Sequence, residues 1–75
     1  MEKLYYLETN GDLEKAVSVL KEHGLHTEWF ENEWESHWSF RKGHFVMWNE
    51  SAKYPCCVWQ AQIETVKACG IRVDY

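Results

Sequence analysis

The stretch from Asn10 to Gly24 constrains the fold more than any other, because it carries a start, an apolar stripe and a stop for one helix. Asn10 or Asp12 can cap its first turn, and Asp12 and Glu14 place negative charge where the helix dipole favours it. Leu13, Ala16, Val17 and Leu20 recur at helical spacing. Gly24 supplies a left-handed residue to end the helix near His23. A helix with a single apolar stripe has to lay it against another element. The preceding run from Lys3 to Thr9 offers one: rich in Leu and Tyr, it reads as a strand with apolar residues on both faces, suited to the middle of a sheet.

Downstream the pattern changes. Leu25 to Asn32 is ambiguous between an extended lead into the next strand and a short strand of its own. Glu33 to Arg41 and His44 to Glu50 then read as a hairpin, since Lys42-Gly43 between them has the length and the glycine of a two-residue turn. With Arg41 opposite His44, Phe40 meets Phe45, Ser39 meets Val46, Trp38 meets Met47 and His37 meets Trp48. Alternation sorts these side chains onto two faces. Trp34, Trp38, Phe40, Phe45 and Met47 form the expected core face, and Glu35, His37, Ser39, Val46 and Trp48 the outward one.

Pro55 suits the first turn of a second helix running to Cys69, with Gly70 as its cap and Cys56, Trp59, Ile63 and Val66 as its inward stripe. Ile71 to Tyr75 alternates and reads as a closing strand. The resulting order, strand, helix, strand, strand, helix, strand, predicts an α+β fold of the ferredoxin-like split βαβ type, with an antiparallel sheet and both helices on one face. Such a fold hosts many unrelated functions. Residues 1–75 show no repeat, linker or low-complexity segment at which to divide them, so one domain is expected. A small core needs bulky side chains, and five Trp, four Tyr and three Phe supply them without disulfide or metal.

Composition also narrows function. A formal charge of −4 opposes broad attraction to phosphate and fits a basic partner better. No zinc-ligand spacing links the four His and three Cys: His23 and His26 straddle a helix end, and there is no CxxC pair. No metal and no cofactor is therefore expected, and the cysteines read as small apolar packing in a reducing, cytoplasmic setting. Cys56 at a helix start is the best enzymatic hint, since a helix dipole can stabilise a thiolate. Yet Tyr54-Pro55-Cys56-Cys57-Val58-Trp59 matches no nucleophile motif, and there is no phosphate loop, nucleophile elbow or dinucleotide fingerprint. The reading is non-enzymatic. The amino terminus has only a four-residue apolar run, too short for a signal core or a membrane span.

One segment bears on nucleic acid. Arg41-Lys42-Gly43-His44-Phe45-Val46-Met47-Trp48 is similar, in its second half, to the F-V-x-F/Y end of the longer motif of the RNA-recognition module, which shares the expected element order. Lys42, Gly43 and His44 depart from that motif. The resemblance implies Tyr5 and Phe45 as base-stacking residues and Arg41 with Lys42 near a phosphate, so single-stranded nucleic acid bound on the sheet face is the alternative function.

The favoured expectation is a small protein-binding or regulatory module. The series Glu28, Glu31, Glu33 and Glu35 interleaves with Trp29, Phe30 and Trp34, a pattern in which aromatics anchor and carboxylates select a basic macromolecule. Candidate binding residues are Trp48, His37, Glu33, Glu35, Trp29 and Arg41, with Trp48 as central anchor. Nucleic acid is the disfavoured partner, no membrane is involved, and a homodimer is left open.

Overall fold

The computed structural model describes residues 2–33 and 42–75, apart from the side chains of Glu33 and Gln60. Within them lie strand β1 (Leu4–Thr9), helix α1 (Leu13–Glu22), helix α2 (Glu28–Glu33), strand β2 (His44–Asn49), a short strand β3 (Cys56–Cys57), a 3-10 turn (Gln60–Gln62), helix α3 (Ile63–Cys69) and strand β4 (Ile71–Val73). The strands form one mixed sheet in the order β3-β2-β1-β4.

Helix α1 forms as its signals predict. Asp12 is the N-cap and its carboxylate accepts the Lys15 N–H at 3.2 Å, while Ala16, Val17 and Leu20 are buried. Gly24 has φ +79, a left-handed angle that a side chain would strain. Strand β1 is central, as its two apolar faces imply: it pairs antiparallel with β2, Tyr5 opposite Trp48 and Leu7 opposite Val46, and parallel with β4. The parallel β4 corrects the expectation of a wholly antiparallel sheet.

The helices do not share one face either. Leu7, Val46 and Trp48 pack with Ala16, Leu20, Leu25 and Phe30 from α1, α2 and their link. Tyr6 and Phe45, next along their strands and therefore on the reverse face, pack with Val58, Ile63 and Val66 under α3. Lys67 sets its ammonium 5.1 Å from the centre of the Phe45 ring there. The sheet is thus buried on both sides, and Trp48, expected outward, is 4% exposed.

Two further segments differ from the expectation. Cys56-Cys57 does not open a helix; it pairs with Met47 and Val46 of β2, and the Val58 N–H donates to the Phe45 carbonyl at 3.2 Å. Of the expected inward stripe, Ile63 and Val66 are buried, whereas Cys56 and Trp59 are exposed. Glu33 closes helix α2 and so does not begin a strand. The remainder of the expected first hairpin strand, with His37, Glu35, Arg41, Trp34, Trp38 and Phe40, lies outside the described residues. Strand β2 finds its described partners in β1 and β3 instead.

Gly70 does follow α3 as its C-cap, but with extended backbone rather than a left-handed turn. A Cβ there would lie 2.6 Å from the Val66 carbonyl oxygen and 2.7 Å from Cδ1 of Tyr6. The carbonyl is held by the helix and cannot yield cheaply. Gly70→Ala is accordingly expected to lower stability by about 1–3 kcal/mol, the usual cost of forcing a methyl into filled space. Urea unfolding of the variant measures it, and an unchanged midpoint would mean that helix and ring both move aside.

Candidate protein-binding surface

Burial decides which of the expected site residues can meet a partner. Trp48 cannot: it is covered by α1 and stacked on Tyr5, with ring centroids 5.7 Å apart and planes 18° apart, and His23 meets it edge-on at 5.4 Å. Trp29 is half-buried and packs against the same core. The structure therefore buries Trp48 and leaves Trp29 half-covered at the edge of the same core. Glu33 ends α2, its side chain outside the described set with those of Glu35, His37 and Arg41.

What α2 displays is its carboxylates. Phe30 is fully buried, and Thr27, also buried, accepts the Glu31 N–H at its carbonyl at 3.1 Å. Its hydroxyl donates to the Glu31 carboxylate at 3.2 Å. The apolar side of this short helix thus turns into the core, leaving Glu28, Glu31 and Asn32 exposed. Glu31 also meets the Lys21 ammonium at 3.4 Å, and Glu28 lies 3.7 Å from Nδ1 of His26. Both pairs are solvent-exposed, so each is worth under about 1 kcal/mol.

Beside His26 stands an aromatic residue that the sequence did not single out. The Tyr54 ring lies 5.1 Å from the His26 ring, and the His26 N–H donates to the Lys53 carbonyl at 2.8 Å, which ties the 53–54 bend to the start of α2. Tyr54 is 61% exposed and Trp59 67%, the most accessible large apolar side chains among the described residues. Helical spacing placed Trp59 inside; Tyr54, preceding Pro55 in a non-helical bend, bore a turn signal that pointed to the surface.

Glu31 of α2 also borders a groove of about 450 Å³ against α1, lined with it by Leu13, Glu14, Val17, Ser18 and Lys21. A second open hollow, lined by residues 10–14, shares Leu13 and Glu14 with it, so the concave surface continues past Asp12 to Asn10.

Among the described residues no three His, Cys, Asp or Glu side chains cluster as metal ligands, and no helix is long and apolar enough to cross a membrane. Cys56 and Cys69 are exposed and Cys57 is half-buried. Comparison with protein-family models, curated proteins and solved structures finds no match to this chain.

Proposed function

We propose that the chain is a small, non-enzymatic, cytoplasmic module that binds a basic protein partner through an aromatic and acidic surface centred on α2. The observation that carries this reading is the row formed by Tyr54, His26 and Glu28, with Glu31 further along the helix: an exposed ring beside exposed carboxylates. Aromatic side chains supply anchoring area, while carboxylates steer and select a partner of opposite charge. The net charge of −4 acts in the same direction at longer range.

Single-stranded nucleic acid on the sheet face gains no support. Phe45 is 2% exposed under α3, and it lies on the face opposite Tyr5, so the two do not form one stacking platform. Of the ferredoxin-like arrangement the coarse α+β pattern of one four-stranded sheet with helices remains; the additional helix α2, the strand order β3-β2-β1-β4, the parallel β1-β4 pair and the helices on both faces are departures from it.

The test starts from partners captured from host extract with and without nuclease treatment and then measured singly. Glu28→Lys should slow association with the true partner several-fold, and salt should weaken the wild-type complex in the same way. Tyr54→Ala should weaken it by about 2 kcal/mol, the loss typical of an interface anchor. Tighter binding by Glu28→Lys would instead identify a polyanion such as nucleic acid and overturn the reading.

A further inference from the structure

We infer that the groove between α1 and α2 receives a cationic amphipathic helix of the partner, an inference that rests on the basic-partner reading above and names the segment involved. The floor of the groove is apolar, with Leu13 and Val17 four residues apart on α1, hence about 6 Å apart along one side of the helix. From Leu13 to Lys21 the lining runs about 12 Å along α1, a little over two helical turns. Two apolar side chains spaced one turn apart on a docking helix match that floor.

Charge selects the flanks. Glu14 stands at one end of the groove, Asp12 continues that end, and Glu31 forms the opposite wall, where Lys21 at the far end already pairs with it. The exposed Glu14 carboxylate is consequently the acidic group of the lining that meets an incoming Lys or Arg, Lys21 being engaged by Glu31, while the Asp12 carboxylate caps α1 and adds negative charge at that end. Backbone chemistry selects the conformation. Every lining residue lies on a helix, so no strand edge is offered to an extended peptide, and a helix is the segment that arrives with most of its own N–H and C=O groups already bonded.

The test uses the whole chain and three synthetic peptides of equal length: an amphipathic Leu/Lys helix, the same residues scrambled so that no apolar stripe forms, and the helix with Glu in place of Lys. Amide shifts of Leu13, Val17 and Ser18 should move with the first peptide, whose affinity should exceed that of either control by roughly tenfold or more. Glu14→Lys, an exposed substitution, should cost a comparable factor, while Glu64→Lys on α3, across the sheet, should leave binding unchanged. Equal binding of the amphipathic and scrambled peptides, or shifts confined to residues outside the groove, would overturn the inference. A captured basic partner that responds to Glu28→Lys but not to Glu14→Lys would leave the proposed function standing and remove the groove from it. Affinity for the acidic peptide equal to that for the cationic one would remove both.

Discussion

Truncating Trp48 to alanine is expected to lower the stability of the domain by about 3–5 kcal/mol, the range for deleting a large aromatic side chain from a closed core. Trp48 is 4% exposed, sits in the cluster with Leu7, Val46, Leu20 and Phe30, and stacks on Tyr5. Its removal opens a cavity under α1 and takes away the ring against which Tyr5 and His23 rest. A domain of 75 residues has roughly 4–11 kcal/mol in all, so the variant should be partly unfolded at physiological temperature. Urea unfolding followed by circular dichroism gives the loss directly. A loss under about 1 kcal/mol would place the ring at the surface, where strand alternation alone had put it.

That alternation misled for a specific reason. Period-two patterning tells which side chains share a face, not how many faces are covered. Strand β2 reads His44-Phe45-Val46-Met47-Trp48-Asn49, four apolar residues in succession, and a continuous apolar run is the mark of a strand buried on both sides. The same mark holds in β1, where Tyr6 and Leu7 are buried on opposite faces. In β2 it was outweighed by a hairpin partner that supplied polar residues to one face.

Local signals succeeded where they were strong and self-contained. The Asp12 cap, the stripe from Leu13 to Leu20 and Gly24 each have a chemistry confined to a few residues, and the helix lies where they put it. The segment from Cys56 to Val66 shows the opposite case, since Cys56, Trp59, Ile63 and Val66 keep helical spacing across what is a strand, a two-residue link and a 3-10 turn before α3. Spacing over so short a window does not separate a helix from an adjacent strand and helix that share a core. The display surface was hardest to read: Tyr54 reaches His26 across 28 positions of sequence, a contact that only the closed fold creates.

Phe30→Ala should rival Trp48→Ala, at about 3–5 kcal/mol, and it tests why an ambiguous segment becomes a helix. Helix α2 has six residues, far fewer than the roughly 12–15 at which an isolated helix becomes even marginal in water. Packing must hold it. Phe30 is fully buried between α1 and the sheet, while the exposed Lys21-Glu31 pair and the Thr27-Glu31 hydrogen bond are too weak to replace that contact. Without the ring, α2 loses its anchor, and the carboxylates of Glu28 and Glu31 lose their fixed position beside Tyr54 and the groove. Two measurements should therefore move together in the variant: the urea midpoint falls, and the amides of residues 28–33 lose hydrogen-exchange protection ahead of those in β1 and β2. Phe30→Leu, which refills part of the space, should restore most of both. If Phe30→Ala leaves α2 protected and costs less than about 1 kcal/mol, the local Thr27-Glu31 contacts hold the helix instead, and the binding surface does not depend on the core beneath it.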